Sequence, residues 1–289
     1  MDWPELPLKS WIDTYQTLQL WTQIVGKIRL TLTPPINHWW GATLFVSPRG
    51  LTTSTIPYGD DGFEIEFDFI DHQLDIRTSL GQQIDFDLRA ESVAAFYNRV
   101  MAALNSLGLE VKINTRPQEL PNPIPFEQDE QHASYDPEYA HRFWRILLAT
   151  NNVMNEFRAR FIGKCSPVQF FWGSFDLACS RFSGRAAPPR KGVITSEAYS
   201  HEVISAGFWP GGGAIGPAFY SYTAPPPAGI SEAKIDAPGF WSKDLSEFLL
   251  MYDDVRTARS PREVLLDFLQ GTYVAGATLA NWDRKSLER

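Results

Sequence analysis

The chain has 289 residues, 44% of them hydrophobic and 21% charged, with a formal net charge of −8. That composition excludes a disordered chain, a collagen-like chain and a disulfide scaffold, and a globular chain of this length buries roughly 75% of its unfolded surface without staples. No basic block supports nucleic-acid binding, and the excess lies in aromatic residues and proline: 10 Trp, 19 Phe, 10 Tyr and 21 Pro.

The first residues carry no basic, apolar signal-peptide pattern, and no run of about 18 apolar residues spans a membrane. The two cysteines, Cys165 and Cys179, read as reduced thiols. A cytoplasmic protein is expected, without a membrane or nucleic-acid partner.

Trp11, Tyr15, Leu18, Ile24, Val25 and Ile28 recur at helical spacing and predict a first amphipathic helix. Pro35-Ile36-Asn37-His38-Trp39-Trp40-Gly41 follows. Trp40, Ala42, Leu44 and Val46 read as one face of a buried strand. Phe63, Ile65, Phe67 and Phe69 alternate with acidic residues and predict a half-wet strand, which returns through a turn at Asp71-His72 to Leu74 and Ile76, with a short strand at 83–88. Val93, Phe96, Val100, Met101 and Leu104 predict a helix ended by Gly108.

Four prolines at 117–125 mark an extended join. Asp136-Pro137-Glu138 opens a second amphipathic helix carrying Phe143, Leu147, Met154, Phe157 and Phe161. Pro167-Val168-Gln169-Phe170-Phe171-Trp172-Gly173 then matches the earlier motif position by position at an offset of 132 residues, and the same offset pairs Arg49 with Arg181. Strands are predicted at 170–177, 203–208, 218–222 and 248–252. The Gly-rich segment after Phe208-Trp209-Pro210 reads either as an aromatic flap or as a plain surface loop, and a last helix starts at Ser260-Pro261.

The expected fold is therefore α+β, an internal duplication of a helix–antiparallel strands–helix unit with pseudo-twofold symmetry. The halves run over 8–115 and 135–289, joined by a Pro-rich linker at 116–134 in one fused unit.

Charges near a buried strand need partners. Arg49, Arg181 and Asp176 either pair internally or face a ligand, and an Arg fork suits an anion. His201, Glu202 and Arg181 are the candidate catalytic residues, with His201 or Glu202 as base and Arg181 or Lys164 stabilising negative charge. His38, Trp40, Arg49, Lys164, Trp172 and Asp176 are the candidate ligand-binding residues, aromatic walls with a few polar groups. The five His show no metal-ligand spacing. Gly163-Lys164-Cys165 is not a P-loop, and 211–217 is not a dinucleotide fingerprint. No cofactor is indicated.

The motifs GKIRL (26–30), NHWW (37–40), RGLTTS (49–54), GKCSPVQFFWGSFDL (163–177), RFSGR (181–185), YSHE (199–202) and GFWPG (207–211) resemble those of a bacterial domain-of-unknown-function family, family 5996, over nearly the whole chain. The family often has His where this chain has Gln169, so no role for that His carries over. The resemblance implies a soluble bacterial protein and no particular chemistry. Two functions of different class stay open: a small-molecule pocket at the junction of the halves, with an anionic or aromatic ligand and an unassigned reaction, or a non-catalytic protein-interaction scaffold. Carbohydrate binding by exposed Trp is weaker, because these Trp sit in apolar runs.

Overall fold

The computed structural model of the protein describes residues 3–289. The first half opens with α1 (Leu8–Leu32), whose side chains are buried almost all round from Thr17 to Arg29. This departs from the amphipathic expectation for a physical reason: its polar residues serve buried backbone groups. Gln19 donates to the Gly173 carbonyl at 2.8 Å, Gln23 to Gln118 at 3.0 Å and Lys27 to Arg116 at 2.7 Å, while the Gln118 N–H returns a bond to Gln23 at 2.8 Å. Residues 19, 23 and 27 stand at i, i+4, i+8, one ridge of the helix. That ridge fastens the extended 116–118 segment to α1.

Six antiparallel strands follow: β1 (Phe45–Val46), β2 (Gly50–Thr52), β3 (Ile56–Tyr58), β4 (Asp61–Asp68), β5 (Gln73–Thr78) and β6 (Gln83–Asp87), in the order β1-β2-β4-β5-β6 with β3 also on β4. The turn at His72 (φ 54°) is as predicted, and its Nδ1 lies 2.8 Å from the Tyr135 hydroxyl. The acidic face of β4 is not wet as expected: Glu66 and Asp68 are buried, Glu66 taking Arg77 at 2.8 Å and Asp68 the Ile70 and Asp71 N–H groups at 2.8 and 3.0 Å. Helix α2 (Val93–Ser106) starts at Ser92, whose hydroxyl caps Ala95 N–H.

The 116–134 segment packs on the core, with Phe126 and Asp129 buried and Asp129 accepting from the backbone of Gln131 and His132. Helix α3 (Pro137–Ala159) begins as predicted, Asp136 capping Glu138 and Tyr139. The second sheet comprises β7 (Gln169–Phe171), β8 (Asp176–Ala186), β9 (His201–Trp209), β10 (Ala218–Ala224), β11 (Phe240–Ser242) and β12 (Glu247–Met251), ordered β11-β12-β10-β9-β8-β7 and antiparallel throughout. Helix α4 (Val193–Ala198) interrupts β8 and β9, and α5 (Tyr252–Arg256), α6 (Pro261–Leu279) and α7 (Arg284–Leu287) close the chain.

The sheets meet at their inner edges, where Leu44 and Phe170 exchange backbone bonds of 2.9 and 2.8 Å. Buried residues from both halves form one contiguous core, from Trp3 to Trp282. The two matching motifs take different local forms. Pro167–Gly173 contributes β7, but 37–42 is a 3-10 turn and not the expected strand, with His38 and Trp39 at φ 57° and 63°. The buried guanidinium of Arg29 decides this. It donates to the carbonyls of Thr43 (2.9 Å), Thr53 (2.8 Å) and Gly41, gathering the chain into a turn that a strand could not make. Each left-handed non-glycine residue costs about 1–3 kcal/mol and persists only where its surroundings hold it.

Candidate functional site

A cavity of about 450 Å³ opens between the 3-10 turn, the C-terminal part of α1, the 114–119 segment and the face of the second sheet. Strand parity selects its lining. On β8, Asp176, Ala178, Ser180 and Phe182 face the cavity; on β9, Val203 and Ser205; on β10, Tyr220 and Tyr222. The register is consistent, since Ser180 pairs with Ser205, and Ser205 with Tyr222. Trp39, Trp40, Phe171 and Trp172 complete an aromatic wall, and Lys27 enters from α1.

The polar floor is built around Asp176, which is 7% exposed. Ser174 and Tyr220 hydroxyls donate to its two carboxylate oxygens, and no cation pairs with it among the described residues. Burial therefore raises its pKa, opposed by those two hydrogen bonds. Gly207 makes the arrangement possible. It lies between Ala178 and Tyr220 in register, and a Cβ there would sit 2.5 Å from the Tyr220 hydroxyl. Glu247, on the neighbouring β12, is pushed up to about 7 by burial, with the Asp176 charge adding. Lys27, 4% exposed and bonded only to a carbonyl, is pulled down to about 8 by burial.

Of the candidate ligand-binding residues, His38, Trp40, Trp172 and Asp176 line this cavity. Trp172 packs against α1 where Gly26 leaves room: a Cβ at Gly26 would fall 2.2 Å from its ring. His38 is held at both nitrogens. Its Nδ1 donates to the Ala198 carbonyl at 3.2 Å, which leaves Nε2 to accept from Lys164 Nζ at 2.7 Å. Burial, then the Lys164 charge, depress its pKa. A neutral His38 thus ties the 3-10 turn to α4 and to Lys164, which also stacks over Trp40 and Phe182 at 5.5 and 5.2 Å. His201 stands at this rim, its ring centroid 5.8 Å from that of His38, with Nδ1 against the Ser200 hydroxyl at 3.0 Å.

The remaining candidates lie elsewhere. Arg181 is five residues from Asp176 on the same strand, so it points to the opposite face, beneath α3 and α6. Glu202 is one residue from Val203 and likewise turns away, taking Arg185 at 2.7 Å and Ser183 at 2.9 Å. Arg49 pairs with Asp68 and Asp71 on the first sheet, away from the cavity. Of the two readings of the arginines, internal pairing describes Arg49, and neither Arg49 nor Arg181 lines the cavity. The 210–217 segment is a surface loop and not a flap over the cavity: it closes as a tight turn through bonds of 2.9 and 3.1 Å between Gly212 and Ile215. Among the described residues no group of three or more His, Cys, Asp or Glu is placed to hold a metal ion.

Lys27, Tyr220, Tyr222, Ser174 and Tyr199 were missed from sequence. Only Lys27 carried a signal, a charge between the apolar residues Val25 and Ile28.

The fold and cavity define an α+β protein with two six-stranded antiparallel sheets that meet at one edge, and an aromatic cavity with an acidic floor beside that junction. The chain belongs to the family of unknown function DUF5996, which it matches over residues 3–289. Neither curated proteins nor solved structures provide a match. No helix among the described residues is long and apolar enough to cross a membrane.

Proposed function

We propose that the cavity binds a small molecule with a flat, aromatic or apolar body and a polar end that meets Asp176, Ser174 and Tyr220. The observation that carries this reading is Asp176 itself, a buried carboxyl with no cationic partner among the described residues, on the floor of an aromatic cavity. Pockets for small ligands combine apolar walls with a few fixed polar groups in this way. With Arg49 and Arg181 turned elsewhere, the acidic floor favours a ligand that donates hydrogen bonds over an anion. Asp176 and Tyr220 are then the groups with acid–base capacity, in place of His201 and Glu202. The setting we infer is a soluble, cytoplasmic bacterial protein whose two halves descend from one helix–strands–helix unit. The Pro-x4-Trp-Gly repeat and the helix, six-stranded sheet, helix succession of each half support that descent.

The test is native mass spectrometry of the purified protein, followed by a thermal-shift screen of aromatic amines, alcohols and carboxylates, with Ala198→Trp as the cavity-blocked control. A compound that stabilises the native chain and not the blocked variant supports the reading. Equal shifts in both variants would sink it. A protein-interaction module is the second reading, favoured by Val193 and Ile194, which are 79% and 54% exposed on α4 at the cavity rim. Under that reading, Ile194→Asp abolishes partner capture while leaving the ligand screen blank.

A further inference from the structure

On the other face of the second sheet, beneath α3 and α6, lie both cysteines. Cys165 pairs with Arg181 across a short antiparallel bridge, flanked by bonds from Ser166 N–H to Ser180 at 2.8 Å and from Phe182 N–H to Lys164 at 3.0 Å. Residues opposite each other in such a ladder share a face, and so does the diagonal neighbour two residues along, here Cys179. The three side chains therefore form one cluster, with the two sulfurs 3.7 Å apart.

Arg181 is fully buried. It donates one bond, to the Phe157 carbonyl, and stacks on Phe157 and Tyr273 at 3.4 and 4.3 Å. Its Nε and Nη1 have no partner, and it makes no ion pair with a carboxylate among the described residues. A buried guanidinium left this way is costly unless something nearby supplies negative charge. From α3, Arg158 adds a second cation, its Nε bonded to the Ser166 carbonyl at 2.7 Å. Glu288, whose charge also reaches this site, is engaged by Arg284 at 2.6 and 3.1 Å. Beside Glu288, the groups near Arg181 that can carry negative charge are the Tyr273 hydroxyl and the two thiols on its own face.

We propose that Cys165 and Cys179 form a hydroperoxide-sensitive thiol–disulfide site, with Arg181 as the buried cation that stabilises the reactive thiolate. Cys165 is partly exposed and meets the oxidant, while Cys179 is buried behind it. The Cys165 thiolate attacks one peroxide oxygen. The O–O bond breaks, a sulfenic acid forms and the other oxygen leaves as alkoxide or hydroxide, taking a proton to become an alcohol or water. Cys179 then attacks the sulfenic sulfur. The S–S bond forms, the S–O bond breaks and water leaves with the Cys179 proton. Two thiols are oxidised by two electrons and one hydroperoxide is reduced. The sulfurs have to close from 3.7 Å to about 2.05 Å. The pattern of acidities agrees: the neighbouring Cys179, with Arg181 and Arg158, holds Cys165 below the ordinary thiol range, while Cys165 and burial push Cys179 well above it.

The experiment treats the reduced full chain with hydrogen peroxide and follows intact mass, thiol count and peptide mapping. One equivalent is expected to remove both thiols and two hydrogens, and to link the peptides carrying Cys165 and Cys179. In Cys179→Ser the reaction stops at a sulfenic acid on Cys165, trapped by dimedone. Cys165→Ser leaves Cys179 unreacted. Arg181→Met slows oxidation at neutral pH by about tenfold or more. Oxidation no faster than that of free cysteine, a disulfide between two molecules, or an unchanged rate in Arg181→Met would overturn the proposal. If Arg181→Met does not fold, the pH profile of iodoacetamide alkylation of the native chain decides. A midpoint below the free-thiol value of about 8.5 supports the site, and one at or above it refutes it.

Discussion

Asp176 and Arg181 stand on one strand, β8, and face opposite sides of the sheet: the carboxyl enters the aromatic cavity, and the guanidinium stacks beneath α3 and α6. The two strongest charges of the repeated motif region are thus separated by strand parity. Neither neutralises the other. Each is left to find its own partners, hydroxyls for Asp176, and aromatic rings and a carbonyl for Arg181.

Tyr220→Phe removes one of the two hydroxyls that satisfy Asp176. Leaving a buried acceptor short of a donor costs about 1–3 kcal/mol, and for a chain of this size each kcal/mol lowers Tm by about 2–4 °C. Asp176→Asn keeps an acceptor for Ser174 and removes the buried charge, so it is expected to melt at or above the native temperature at pH 8. Calorimetry of both variants checks the pair, and a Tyr220→Phe that melts like the native chain would contradict the bond.

Glu247 makes stability depend on pH. Its carboxyl is raised to about 7 in the folded chain by burial first and Asp176 second, against about 4.3 unfolded. The folded state binds more protons between these values, so this group's contribution to stability falls as pH rises through that window. Glu247→Gln cancels the loss. Urea midpoints should show the variant gaining on the native chain between pH 4.5 and pH 8. A gain in the opposite direction rules out the raised carboxyl.

Gly26→Ala sets helix propensity against packing. Alanine within a helix gains roughly 1 kcal/mol over glycine, but the new Cβ would stand 2.2 Å from the Trp172 ring, and overpacking costs about 1–3 kcal/mol. Net destabilisation is expected, with a shifted tryptophan emission as the ring moves into the cavity. A stabilised variant with native emission would show that α1 and Trp172 do not meet.

Arg49→Ala separates the two arginines of the motif region. Its partner Asp68 also accepts from the Ile70 and Asp71 N–H groups at 2.8 and 3.0 Å, so it stays satisfied when Arg49 is lost. The substitution is expected to change Tm little, less still at high salt, and to leave ligand shifts at the cavity intact. Loss of ligand shifts would bring Arg49 back to the site.

The sequence by itself determined what depends on near neighbours. The Asp136-Pro137 helix start, the stripe of α2, the 63–78 hairpin and the aromatic concentration around Trp40 and Trp172 follow from spacing and capping, because the physics of each is complete within a dozen residues. Tertiary structure decided the rest. The 37–42 turn exists because Arg29, eight residues upstream on α1, gathers its carbonyls. Where β8 begins sets which of Asp176 and Arg181 enters the cavity. Tyr220 reaches Asp176 only because β9 and β10 pair in the register that puts Gly207 beneath its ring. Contacts of that kind join residues from 12 positions apart, Arg29 with Gly41, to 44 apart, Asp176 with Tyr220, and periodicity carries no trace of them.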